Sequence, residues 1–150
     1  MKPEEVSRVN FCSGKIYYDL IAEREKRGRN DVALIRVEQL YPLPLAQLQA
    51  IIKKYKKTTV FAWVQEEPAN MGAWSYMLRN FKEVKLLLVA RPESGSPATG
   101  SSKLHALRQA KIIDKAFGDC TCENRNETCK MMCAPREWQF VEEKKLLIGE

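Results

Sequence analysis

Apolar residues occur in this chain in two patterns, short unbroken runs and stretches in which they recur every three or four positions. The first pattern marks strands buried on both faces and the second marks amphipathic helices. Val60-Phe61-Ala62-Trp63-Val64 is the clearest run, short enough for a strand and too uniform to have a wet face. It opens onto Gln65-Glu66-Glu67-Pro68-Ala69-Asn70-Met71-Gly72-Ala73, after which Trp74, Met77, Leu78 and Phe81 recur at helical spacing. Pro68 stops the ladder and Gly72 permits a tight turn. The unit is strand, polar loop, helix, with two carboxylates at the strand's exit. In open parallel sheets that is where loops meet ligands or partner domains.

The same alternation runs through the rest of the chain. Val9, Phe11 and Cys12 predict a first strand ending in Ser13-Gly14. Ile16, Tyr17, Leu20 and Ile21 then share a helical face, Glu23 and Arg27 stand one turn apart, and Gly28 is a good stop. Val32 to Val37 predicts a second strand that exits into Glu38-Gln39. The prolines of Tyr41-Pro42-Leu43-Pro44 force an extended connection, and Pro44 suits the first turn of a helix striped by Leu45, Leu48, Ile52 and Tyr55. Val84 to Ala90 predicts a fourth strand. Arg91 to Gly100 has the composition of a surface loop, and Ser101 or Ser102 can cap a last helix whose predicted face is Ala106, Ala110, Ile113 and Phe117. Strands alternating with helices imply a three-layer α/β/α architecture around a mainly parallel sheet. No repeat of 20–50 residues is visible beyond that alternation.

After Gly118 the character of the sequence changes. Four of the five cysteines fall in a short stretch, Cys120, Cys122, Cys129 and Cys133, spaced C-x-C-x6-C-x3-C. The division this predicts is an α/β domain over 1–118 and a cysteine-containing extension over 119–150, either a short helix after Pro135 or a small hairpin. Four thiolates can hold zinc, but the paired C-x2-C knuckles of a zinc module are missing, so free thiols are the preferred reading and zinc the secondary one.

At 150 residues and 45% hydrophobic content, the chain has enough apolar side chain for one domain's core. No apolar run reaches membrane-spanning length, so no membrane partner is expected. The polar, acidic opening Met1-Lys2-Pro3-Glu4-Glu5 does not resemble an export signal, and the expected location is the cytoplasm, or the mitochondrial matrix in a eukaryote. The formal charge of +6 carries 19 acidic residues among 25 basic ones. The densest basic cluster, Lys53, Lys54, Lys56 and Lys57, ends an amphipathic helix, where cations suit the dipole and the solvent. With no aromatic platform beside it, nucleic acid is not the expected partner.

The inventory excludes most catalytic arrangements. The single histidine, His105, lies early in an amphipathic helix with no hydrolase triad or histidine-rich metal motif around it, and a structural or surface role is the preferred reading. Ser13-Gly14-Lys15 opens a helix whose amides can hold an anion, yet the glycines of a dinucleotide fingerprint or P-loop are absent. These three residues are a candidate anion site, with a tight strand-to-helix turn preferred. Glu66 and Glu67 leave the strand on opposite sides, one toward the crevice and one toward the surface. Proton transfer by either would need an apolar cleft to raise its pKa, and an ion pair or interface hydrogen bond is preferred.

Taken together, Phe11-Cys12-Ser13-Gly14-Lys15-Ile16-Tyr17-Tyr18-Asp19-Leu20, Arg36-Val37-Glu38-Gln39-Leu40-Tyr41-Pro42, Gln65-Glu66-Glu67-Pro68 with Asn70, Gly72, Ala73 and Trp74, and Arg91-Pro92 with Ser96-Pro97-Ala98-Thr99-Gly100 resemble one family. It is the thiamine-dependent, decarboxylating component of the 2-oxoglutarate dehydrogenase complex, in its C-terminal domain. The motifs lie in the same order between Arg8 and Phe117.

The resemblance implies a transketolase C-terminal-like fold. It implies a parent enzyme of the citric acid cycle that decarboxylates 2-oxoglutarate on thiamine diphosphate with magnesium and passes the succinyl group to a dihydrolipoyl succinyltransferase. Cofactor and assisting histidines belong to the other domains of that enzyme, so no catalytic residue is assigned here and the chain alone is not expected to react. The resemblance implies instead docking on the pyrimidine-binding domain and a share in the homodimer, with Glu38, Gln39, Glu66, Glu67, Asn70 and Thr99 as interface or ligand candidates at the strand exits. Members of the family usually finish near the position of Phe117, so no family role extends to the cysteine tail. The competing expectation is a stand-alone binding module for an anionic small molecule or a protein partner, stapled by zinc in one version. A preference for 2-oxoglutarate over 2-oxoadipate is not legible in these residues.

Overall fold

The structure, a computed structural model, describes residues 2–58 and 60–118. A short 3-10 turn, Pro3–Glu5, leads into β1 (Arg8–Cys12), α1 (Ile16–Lys26), β2 (Val32–Arg36), α2 (Leu45–Lys54), β3 (Val60–Pro68), α3 (Trp74–Asn80), β4 (Leu86–Arg91) and α4 (Ser102–Ala116). The strands form one sheet in the order β2-β1-β3-β4, with every pairing parallel. Parallel neighbours need a crossover, and each crossover here is a helix.

The two faces of the sheet follow the two-residue period of the strands. Val9 and Phe11 of β1, Trp63 of β3 and Leu86, Leu88 and Ala90 of β4 pack with Leu48, Met77 and Phe81 beneath α2 and α3. Cys12, Ala62, Val64 and Val89 pack on the opposite face with Ile16, Leu20, Ile112, Ala116 and Phe117, beneath α1 and α4. Burial on both faces explains why the strands read as unbroken apolar runs. The central strand β1 also carries a polar side chain into the second core. Asn10, fully buried, donates through Nδ2 to the Ala116 carbonyl at 2.7 Å and so serves one of the end carbonyls of α4.

The helix boundaries have local causes. Gly28 sits at φ 61 just past α1 and donates to the Glu25 carbonyl at 3.0 Å. Ser101 caps α4, its hydroxyl accepting from the Leu104 amide at 3.4 Å. Pro44 stands just before the first residue of α2, and its carbonyl accepts from the Leu48 amide at 3.1 Å.

Three expectations need correction. β3 is longer than its apolar run: it continues past Val64 and ends at Pro68, which stands opposite Arg91 after an irregular register between Val64 and Pro68. The predicted face of α4 is displaced. Ala106 and Ala110 are exposed, while Ile112 and Ala116 are buried, because the first two turns of α4 overhang the sheet before the helix settles on it. On α3, Leu78 is 46% exposed and only Met77 and Phe81 of the expected stripe are fully buried. No helix among the described residues is long and apolar enough to cross a membrane.

Candidate functional site at the strand exits

All four strands are parallel, so the loops that follow them gather at one edge of the sheet. The loop after β3 is fixed by Gln65, which is 4% exposed. Its Oε1 accepts from the Trp63 indole at 2.9 Å and the Trp74 amide at 3.1 Å. Its Nε2 donates to the carbonyls of Pro68 at 3.0 Å and Met71 at 2.7 Å. One buried amide therefore ties the strand end, the turn and the start of α3 together. Gly72 closes the turn at φ 68, where a Cβ would come within 3.1 Å of both Gln65 and Glu67 side chains.

Glu66 and Glu67 separate as alternation requires. The Glu66 carboxylate turns toward α1 and α4, 3.4 Å from Lys15 Nζ and accepting from Gln109 Nε2 at 2.9 Å. Asp19 completes this cluster, receiving Lys15 at 2.7 Å and Gln109 at 3.0 Å. The hydrogen bond from Lys15 to Asp19, helped by the Glu66 charge, raises the lysine's pKa above its ordinary value despite some desolvation. The Glu67 carboxylate makes no hydrogen bond or ion pair among the described residues, and the residue is exposed.

Ser13-Gly14-Lys15 does offer an outward amide, and the chain fills it itself. The Gly14 amide donates to Glu38 Oε1 at 2.9 Å, and Arg36 Nε reaches the same oxygen at 2.7 Å. Both bonds favour the ionised carboxyl, the arginine's first, and hold the Glu38 pKa below its usual range. Arg36 also lies over the rings of Tyr17 and Tyr18, 5.6 and 5.1 Å from their centroids, and donates to the Tyr18 hydroxyl at 2.8 Å. Gln39 turns inward on its own loop, its Nε2 donating to the Pro42 carbonyl at 2.8 Å.

The loop after β4 is pinned from two sides. Asn70 Nδ2 donates to the Ser94 carbonyl at 3.0 Å, and the Ser94 amide donates to Asn70 Oδ1 at 3.1 Å. Arg91 donates to the carbonyls of Glu66, at 2.6 Å, and Pro97, and to the Thr99 hydroxyl at 3.3 Å. Arg108 reaches that hydroxyl from α4 at 3.2 Å. Between this loop, α4 and the ends of β3 and β4 lies a cavity of about 280 Å³, lined among others by Glu66, Glu67, Arg91, Thr99, His105 and Arg108.

The geometry thus sorts the six interface or ligand candidates. Glu66, Glu67 and Thr99 share the cavity, Asn70 holds its loop, and Glu38 and Gln39 stand at the exit of β2. Sequence reasoning missed Lys15 as the partner of Glu66, Arg91 and Arg108 as the clamp on Thr99, and Gln109 as the bridge between Asp19 and Glu66. It also missed Tyr41, which is 86% exposed beside Pro42 at this same edge. The proline-rich string around Tyr41 was the available signal, read only as a connector. Cys12 lies buried at the end of β1, where desolvation, reinforced by the Glu38 charge, pushes its thiol up to about 12. No group of three or more His, Cys, Asp or Glu among the described residues could hold a metal ion. Cys120, Cys122, Cys129 and Cys133 lie outside the described residues.

A family described as 2-oxoglutarate dehydrogenase C-terminal matches residues 1–117. The 2-oxoglutarate dehydrogenase E1 component of Haemophilus influenzae is 42% identical over 122 residues, which cover 78% of this chain and 13% of that protein. The multifunctional 2-oxoglutarate metabolism enzyme of Mycolicibacterium vanbaalenii is 43% identical over 120 residues, covering 76% of this chain and 10% of that enzyme. The chain spans about a tenth of the length of these curated relatives.

Proposed function

Since the chain belongs to the 2-oxoglutarate dehydrogenase C-terminal family, we propose that it acts as the docking and dimer-forming domain of such an enzyme, through the edge where its strands exit. The observation that carries this is the state of that edge. It presents a carboxylate with no partner among the described residues, Glu67, on a loop fixed by the buried Gln65 amide, and a tyrosine 86% exposed, Tyr41, on a loop held by the bond from Gln39 to Pro42. Rigid loops that display an amphipathic ring and a spare charge suit an interface, since little ordering entropy is lost on docking.

The parent enzyme in this reading oxidatively decarboxylates 2-oxoglutarate in the citric acid cycle, with thiamine diphosphate and magnesium, and hands its product to a dihydrolipoyl succinyltransferase. The described residues do not fit that cofactor. They gather no group of three or more metal-ligating side chains. In this reading, as the resemblance implies, cofactor and reaction belong to the other domains, and the residues here supply position. Glu38, Gln39, Asn70 and Thr99 act by holding their loops, and Glu67 and Tyr41 by meeting the neighbour. Residues 1–118 form the docking domain, with residues 119–150 as an extension of it.

The test is to place this sequence behind the remaining domains of the enzyme and change Glu67→Lys and Tyr41→Ala. Both are exposed, so folding is spared. The expected result is loss of the dimer on gel filtration and, with it, of 2-oxoglutarate turnover. Dimer and turnover both unchanged in the double variant would refute the assignment.

A further inference from the structure

The cavity beside α4 holds two arginines that the docking reading does not use, next to two carboxylates that pair with neither of them among the described residues. Arg27, Arg29 and Arg36 each meet a carboxylate at 2.7 Å through Nε. Arg91 and Arg108 do not. Arg91 gives its donors to two carbonyl oxygens and the Thr99 hydroxyl, and Arg108 gives to that same hydroxyl. Two guanidinium groups thus converge on one neutral oxygen, with no ion pair to either among the described residues. His105 stands on the same wall, one turn of α4 before Arg108.

A guanidinium that is hydrogen-bonded only to neutral oxygens keeps its full charge, and two of them at one point repel unless an anion joins them. The two carboxylates on the lining do not provide it. Glu66 is taken up by Lys15 and Gln109, and Glu67 has no partner among the described residues. At about 280 Å³ the space suits a phosphate or carboxylate group carrying a few carbons, and lies just below the usual range for larger ligands. Its position also matches where open parallel sheets take ligands, at the carboxyl ends of the strands.

We propose that this cavity is a binding site for a small phosphate- or carboxylate-bearing molecule, held by Arg108 and His105 with Arg91 as the fixed charge behind them. Thr99 sets the arginine pair in place. Glu67, on the lining, opposes the anion and keeps the affinity low. The proposal does not rest on the docking reading, because it concerns the chain by itself.

The experiment is calorimetric titration of the 150-residue chain with inorganic phosphate and, separately, succinate, at low and constant ionic strength. Millimolar binding of at least one is expected. Arg108→Gln should weaken it tenfold or more, and Glu67→Gln should tighten it severalfold, while Lys54→Gln on α2 should leave it unchanged. Response to phosphate alone identifies a phosphate site, and response to both a general anion site. Amide shifts in a heteronuclear spectrum should centre on Thr99, His105 and Arg108. Circular dichroism checks the fold of each variant, and Glu67→Gln, whose carboxylate has no partner to lose, decides the matter if Arg108→Gln unfolds. Absence of binding, equal weakening by Lys54→Gln, or no gain in Glu67→Gln would overturn the proposal.

Discussion

Gln65→Leu removes the amide that ties β3 to α3 while keeping nearly the same volume, so its cost isolates hydrogen bonding from packing. The Trp63 indole N–H loses its acceptor in a core where Trp63 is 1% exposed, and the Trp74 amide loses the same oxygen. The Met71 carbonyl loses its donor as well, but it lies in a half-buried turn that water can reach. A buried polar group left without a partner costs about 1–3 kcal/mol, so one fully buried and one half-buried donor together cost about 3 kcal/mol. Against a domain stability of about 5–15 kcal/mol that is a large fraction. At a urea slope of about 1.5 kcal/mol/M, the midpoint should fall by about 2 M. The assay is urea unfolding followed by circular dichroism, with hydrogen exchange at the Trp74 amide as the local reading, which should quicken more than the amides of β1. A cycle with Trp63→Phe sharpens it. In the Gln65→Leu background, removing the indole donor removes an orphan, so Trp63→Phe should cost about 1 kcal/mol less there than in the wild type. A Gln65→Leu cost under about 1 kcal/mol, or strict additivity in the cycle, would refute the reasoning.

Other outcomes follow from single groups. Gly72→Ala forces a side chain into φ 68 and against Gln65 and Glu67 at 3.1 Å, and should cost about 1–2 kcal/mol in the same urea assay. Asp31 is held down to about 2, chiefly by the hydrogen bond from Arg29 and then by Ser7; a carboxyl lowered on folding stabilises above its unfolded pKa and loses that contribution as pH falls through its folded value. The pair is about a third exposed, so Asp31→Asn should cost no more than about 1 kcal/mol near neutral pH, and the gap from wild type should close between about pH 4 and pH 2 in acid unfolding curves. Cys12, with its thiol pushed up to about 12 by burial, should resist iodoacetamide in the native chain at pH 8 and react in urea, as peptide mapping by mass spectrometry reads directly. Lys15→Ala should change stability by less than about 1 kcal/mol in urea, because the lysine is 64% exposed, and a larger loss would mean the cluster with Asp19 and Glu66 is part of the framework.

The succession of strands and helices was legible because it is written locally. A run such as Val60 to Val64 has one solution at its length, and Glu23 with Arg27 lies within one turn of one helix, where the pair is found at 2.7 Å. The parallel sheet followed from alternation alone, and the family from motifs clustered on its loops. The displaced face of α4 was not legible, since the period of a helix says which residues align but not where the helix meets the sheet. The loop from Pro92 to Ser101 decides that, and it starts α4 two turns too early for Ala106 to be covered. The partners at the strand exits were illegible for a related reason. Glu66 meets Gln109 from 43 residues away, Gly14 meets Glu38 from 24, and Gln109 meets Asp19 from 90. Such pairs are products of the topology, and no spacing within a motif encodes them.

The sheet order itself explains why the open cavity is not at the place the fold would first offer. In a doubly wound sheet the crevice lies between the neighbouring strands whose connections depart to opposite sides. Here those strands are β1, which leads outward to β2, and β3, which leads outward to β4. Lys15, just past the end of β1, and Glu66, near the end of β3, approach to 3.4 Å across that point, with Gln109 of α4 bridging Glu66 to Asp19. The Gly14 amide, which opens toward this side, is already satisfied by Glu38. The crevice is therefore filled by the chain's own charges, with Lys15 set between the carboxylates of Asp19 and Glu66. One strand further along, β3 and β4 end under the first turns of α4, and there Arg91 and Arg108 share the lining with Glu66 and Glu67 without an ion pair to either among the described residues. The overhang that defeated the helical-face prediction is the same feature that roofs the cavity. Had α4 settled on the sheet from its first turn, His105 and Arg108 would have been packed against it, and the edge would present no recess.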